Sequence, residues 1–238
     1  MPRANRYHIP GLVWHVTQRC HKREFLLKFH YDKKRWLYWL YKAKHRYQIS
    51  ILNFTVTSNH IHLLVLCDKN TNFIPNTIQL ASGRIAWEYN KRKNRSGAFW
   101  EDRYHATAVE TDTYLIQCMI YIDLNMVRAG VVSHPEDWSF CGYQEIMGYK
   151  KRYKLIDQKR LLQMLGFDEE RLKRQYHELI ETHMELKKLQ KDERWTESIA
   201  VGSRNFVEDI QSRLGDKAKK SIIYEINGSF ELRKAEFP

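Results

Sequence analysis

From Thr57 to Val65 the chain reads Thr-Ser-Asn-His-Ile-His-Leu-Leu-Val, a turn signal that runs straight into a short apolar segment of β character. Successive side chains of a strand point to opposite faces, so His60 and His62 share one face while Ile61, Leu63 and Val65 share the other. One face of such a strand must meet a core, and the other aims two imidazoles into a single space. Imidazoles placed that way can hold one metal ion. They can equally be two ordinary histidines hydrogen-bonded at a strand start.

The segments around this strand change period in a regular succession. Leu12 to Thr17, after the Pro10-Gly11 turn signal, is rich in β-formers and reads as a first strand. Tyr31 to Tyr47 places Trp36, Leu37, Leu40, Tyr41 and Lys44 at helical spacing. Gln48 to Val56 is a second strand and Ile61 to Leu66 the third. After the polar loop Asp68 to Asn76, Thr77 to Arg95 reads as a second helix. Ala106 to Val109 is a fourth strand, and Thr111-Asp112 starts a further helix, Thr113 to about Val127. The order β-α-β-β-α-β followed by a helix is that of the split βαβ, ferredoxin-like class: α+β, an antiparallel sheet with helices on one face. Residues 1–150 form this unit. Residues 151–238 read as a mainly helical extension (Gln158 to Leu165, Asp168 to Lys191, Asn205 to Leu214) that closes with a small hairpin around Asn227-Gly228.

The formal net charge of +12 is concentrated in residues 1–100, where it alternates with aromatics such as Tyr7, Trp14, Trp36, Tyr38, Trp39, Tyr41 and Tyr47. That is the footprint of a nucleic-acid binder as well as of a solvated basic helix face. Arg19, Lys22 and Arg23, in the basic connection after the first strand, can approach phosphates. Lys91, Arg92 and Lys93 either do the same or complement the dipole at a helix C-terminus. Arg103 can clamp a phosphate or pair with Glu101 or Asp102. Four scattered cysteines read as reduced thiols of a cytosolic protein. No apolar run is long enough to span a bilayer, and the N-terminus lacks the apolar core of a signal peptide.

The helix after the fourth strand contains Tyr121-Ile122-Asp123-Leu124-Asn125, which puts Tyr121 and Asn125 at i and i+4 on one face. Crossing the third strand, it would set an amide oxygen and a phenol beside the two imidazoles. A divalent cation there would stabilise a phenolate and polarise a phosphoryl oxygen. The plain alternative is a buried tyrosine with a satisfied hydroxyl. Tyr114, two turns earlier, is a rival for the same role.

The set Trp14-His15-Val16-Thr17, Asn59 to Val65, Phe99-Trp100-Glu101-Asp102-Arg103-Tyr104 and Tyr121 to Gly130, with Pro135 to Phe140 beyond it, resembles the single-tyrosine HUH transposases, in particular their REP-associated branch. The resemblance spans residues 5 to 147. It implies that His60 and His62 bind a divalent metal ion, Mg2+ or Mn2+, with Asn125 as third ligand. It also implies that Tyr121 attacks single-stranded, hairpin-forming DNA, giving a 5′-phosphotyrosine link and a free 3′-hydroxyl, in a prokaryotic cytosol or on the nucleoid. Met126 stands where many relatives carry proline, a residue that would hold Asn125 away from helical geometry. Two other readings remain at this level: a non-cleaving DNA or RNA hairpin binder, and a zinc hydrolase with water as nucleophile. The sequence does not decide between monomer and homodimer.

Overall fold

Leu12–Arg19 forms strand β1, which is covered on both faces, with Val13 fully buried on one and Trp14 and Val16 on the other. A computed structural model describes residues 8–67, 72–186, 190–226 and 228–235; Tyr7, Asn227 and loop residues 68–71 lie outside the described residues. Helix α1 follows at His30–Tyr47 and stops at Gln48, which caps it in the left-handed conformation (φ 52°). Strand β2 therefore begins at Ser50, not at Gln48, and runs to Val56. Strand β3 is His60–Cys67.

Helix α2, Phe73–Arg92, starts one turn before the expected Thr77. Pro75 falls in its first turn, where a missing N–H costs nothing. Strand β4 is His105–Val109 and helix α3 is Thr113–Asp123. The helix breaks at Leu124 and resumes as the short α4, Asn125–Arg128, so the interruption arises without a proline. Met126 is buried there.

The sheet order β2-β3-β1-β4, antiparallel throughout, is the ferredoxin-like arrangement expected from the sequence. Its register sets Thr17 opposite His62 and His15 opposite Leu64. Helices α1 and α2 pack against each other and cover one face, where the Ser82 hydroxyl of α2 donates to Gln18 Oε1 at 2.7 Å. His15, three residues earlier, points to the opposite face, which α3 and the C-terminal extension cover. Helices thus lie on both faces, the second layer following the four-strand unit in sequence.

After the short α5 (Tyr143–Ile146), the extension holds α6 (Gln158–Leu165), α7 (Glu169–Glu185) and α8 (Arg194–Glu197), then strand β5 (Ala200–Gly202) and α9 (Arg204–Leu214). Strands β6 (Ser221–Ile226) and β7 (Ser229–Lys234) pair as the expected hairpin. Expected to be mainly helical, the extension also adds three strands to the sheet. β5 pairs in parallel with β4, and β7 and β6 continue beyond it. Strand β5 has only three residues, too few to show a period.

A buried polar knot ties the extension to the sheet. Asn53 of β2 donates to Asp123 Oδ2 at 3.1 Å, the Tyr176 hydroxyl of α7 donates to the same oxygen at 2.6 Å, and the Tyr143 N–H reaches Oδ1 at 3.3 Å. Burial raises the Asp123 pKa to about 7 against the pull of these donors. Gly142 closes over the knot: a Cβ there would lie 1.8 Å from Asn53 Oδ1. Gly142→Ala is expected to cost about 1–3 kcal/mol through this overlap, read as a lower denaturation midpoint. Among the described residues no helix is long and apolar enough to cross a membrane, and Cys20, Cys67, Cys118 and Cys141 are buried.

Candidate active site

Strand β3 carries His60 and His62 into a cleft of about 630 Å³ that also takes Arg19 from β1, His105 from β4, Tyr121 from α3 and Asn125 and Arg128 from α4. His60 Nδ1 lies 2.7 Å from Asn59 Oδ1 and 2.9 Å from Thr57 Oγ1. The other end of the Asn59 amide donates to Arg23 O at 3.2 Å, which fixes Oδ1 toward the ring. An amide oxygen only accepts, so His60 Nδ1 carries the proton and Nε2 keeps its lone pair. The Thr57-Ser58-Asn59 lead-in therefore sets the tautomer of the first imidazole as well as the turn.

His62 is buried, with Nδ1 2.9 Å from His15 Nε2 and Nε2 3.0 Å from Asn125 Nδ2. Burial pulls the pKa of His60 down to about 4, with Arg19 and Arg128 adding to it, and that of His62 well below its ordinary value. His15 is lowered to about 3, again chiefly by burial. All three rings are neutral at neutral pH.

The Tyr121 ring sits 5.8 Å from His62 and 6.2 Å from His15, centroid to centroid. Burial raises the Tyr121 phenol pKa, while the Arg128 guanidinium, 4.3 Å from the ring centre, pulls it down. Arg128 also donates to Tyr121 O at 2.8 Å, bracing the broken helix at its turn.

Two imidazole nitrogens, joined by the carbonyl end of the Asn125 amide once it turns inward in place of the Nδ2 that faces His62, would make a donor set suited to a divalent first-row cation. Mg2+ favours oxygen-only surroundings more strongly than such ions do. A second group, His134, His177 and Glu181, also brings three ligand-type atoms within 4.8 Å of one another. There His134 Nδ1 accepts the Glu136 N–H at 3.1 Å, and Nε2, left to carry the proton, faces Glu181 Oε1 at 3.1 Å. The contact between His134 Nε2 and Glu181 lacks hydrogen-bond geometry, so hydrogen bonding accounts for only part of that cluster.

The remaining sequence candidates divide. Arg19, Arg103 and His105 line the cleft, and among the described residues no ion pair ties Arg103 to Glu101 or Asp102. Lys22 and Arg23 occupy left-handed positions (φ 50° and 58°) on an exposed turn next to Asn59. Lys91, Arg92 and Lys93 lie away from the cleft. Arg92 pairs with the buried Asp32 and packs on Tyr31 and Tyr89, while Lys91 and Lys93 lie over Trp87 and Phe29. Tyr114 lines an adjoining cleft, with Asp192 and Arg194, rather than the one holding the histidine pair. Sequence reasoning missed His15, Arg128 and Trp195. For His15 a signal existed, because alternation puts it on the same strand face as Thr17, the cross-strand partner of His62.

Residues 8–125 match the family described as "Transposase IS200 like". Those residues are an IS200-like transposase domain. The fold of this transposase domain is also seen in a REP-associated tyrosine transposase solved with a REP hairpin. The two share 21% identity and a TM-score of 0.50, over 61% of this chain and 84% of that one. A protein of Deinococcus radiodurans described as a candidate transposase aligns with 14% identity and a TM-score of 0.35, over 57% of this chain and 96% of that one. No curated protein matches the chain.

Proposed function

We propose that the protein cleaves and rejoins single-stranded, hairpin-forming DNA through a covalent bond to Tyr121, with His60, His62 and Asn125 holding a divalent metal ion. The observation that carries this reading is the placement of Tyr121 beside His62 in a cleft also lined by Arg19 and Arg128. When bound, the cation supplies Lewis-acid polarisation of the scissile phosphate, and the nitrogen-rich donor set favours Mn2+ over Mg2+.

The Tyr121 oxygen, its proton given up to water, attacks phosphorus, the P–O3′ bond breaks, and the strand leaves as a 3′-hydroxyl once its oxygen takes a proton from water. Attack by a 3′-hydroxyl on the same phosphorus reverses the step and frees Tyr121. Arg128 offsets the burial that disfavours the phenolate. Arg19 and Arg103, on the cleft wall, meet the phosphates on either side of the scissile bond. The REP hairpin on the structural relative supports a hairpin partner here.

The test is a labelled hairpin with a single-stranded flank, incubated with Mn2+ or with a chelator. A detergent-resistant protein–DNA adduct with Mn2+, lost on chelation, is expected. Cleavage without an adduct would point to water as nucleophile, and salt-sensitive binding without cleavage to a hairpin binder.

A further inference from the structure

Residues 151–238 contribute a group to the histidine pair. His15 Nδ1 lies 2.8 Å from the main-chain oxygen of Trp195, in α8. A carbonyl oxygen only accepts, so His15 Nδ1 carries the proton, and in a neutral ring Nε2 is then an acceptor. The atom that faces it is His62 Nδ1, at 2.9 Å, which must donate. His62 Nε2 is left with a bare lone pair on the cleft side, where it accepts from Asn125 Nδ2 at 3.0 Å.

We infer that the Trp195 carbonyl, acting through His15, locks His62 in the Nδ1–H tautomer and so presents Nε2 to the metal: His15 is a positioning residue, and the C-terminal extension is part of the metal site. This rests on the reading of His60 and His62 as ligands. The two histidines are thus oriented from opposite sides, His60 by the Asn59 turn and His62 by a segment far away in sequence. The carbonyl is itself held in place. Thr107 Oγ1 donates to Ser198 O at 2.7 Å, and His105 Nε2 lies 3.0 Å from the same oxygen. Together these bonds pin the loop after α8 to β4. A partner of this kind beyond the ligand commonly changes metal affinity by about 10–100-fold.

The test uses the full chain. Nitrogen-15 NMR of the histidine rings in the metal-free protein is expected to show His15 and His62 both as Nδ1–H tautomers. Mn2+ titration is expected to give about 10–100-fold weaker binding for His15→Phe. His15→Gln, whose amide keeps a donor and an acceptor, is expected to recover most of the affinity. His62 found as the Nε2–H tautomer overturns the relay, whether or not the Phe variant folds. So does His15→Phe binding Mn2+ as tightly as the unaltered chain. Nδ1–H tautomers together with Mn2+ binding that His62→Ala leaves unchanged would uphold the relay and overturn the ligand reading instead.

Discussion

His62→Ala is expected to slow adduct formation by about a thousandfold, equivalent to ~4 kcal/mol of transition-state stabilisation, while leaving hairpin affinity in chelator close to that of the unaltered chain. The substitution removes one of two fixed nitrogen donors. Asn125 loses its partner at 3.0 Å as well, so the donor set falls below what a divalent ion needs. The residues proposed to meet phosphates, Arg19 and Arg103 on the cleft wall, are untouched, so binding to the hairpin is expected to persist. Gel analysis of covalent product over time, beside a binding isotherm without metal, separates the two effects. Equal loss of binding and cleavage would mean that His62 serves folding instead.

The second large effect concerns stability. Asp123→Leu is expected to destabilise the fold by about 4 kcal/mol, because Asn53, Tyr143 and Tyr176 each lose an acceptor inside the core. In a chain of this size that corresponds to a fall in Tm of roughly 10 °C. Tyr176→Phe removes one donor and leaves the acceptor its other two partners, so about 1 kcal/mol is expected. Thermal unfolding of both variants checks the ratio. Equal effects would show that the knot draws its stability from Tyr176 alone. Asp123 sits between Tyr121 and Asn125 in sequence and points the other way, into the core. The same few residues of helix thus serve the cleft with one face and anchor the extension with the other.

What could be read from the sequence follows the range of the forces involved. The placement of His60 and His62 on one strand face needs only the two-residue period of β-structure. The placement of Tyr121 and Asn125 on one side of a helix needs only its 3.6-residue turn. Both are local, and both hold in the fold. The His15 to Trp195 contact was out of reach because it spans 180 residues and ends on a main-chain oxygen, which no side-chain pattern announces. Strand β5 was hidden for another reason. Ala200-Val201-Gly202 becomes a strand because β4 and β7 offer it edges, a tertiary cause that overrides weak local propensity. The basic run Lys91 to Lys93 shows the limit of charge counting. Arg92 is held by the buried Asp32, a partner that lies sixty positions away.

The central claim is that Tyr121 is the residue joined to DNA, and the direct measurement is to digest the Mn2+-dependent adduct and identify the peptide that carries the nucleotide. The account predicts the nucleotide on Tyr121, no adduct from Tyr121→Phe despite retained hairpin binding, and normal adduct from Tyr114→Phe. Nucleotide found on Tyr114, or an adduct that persists in Tyr121→Phe, would contradict it.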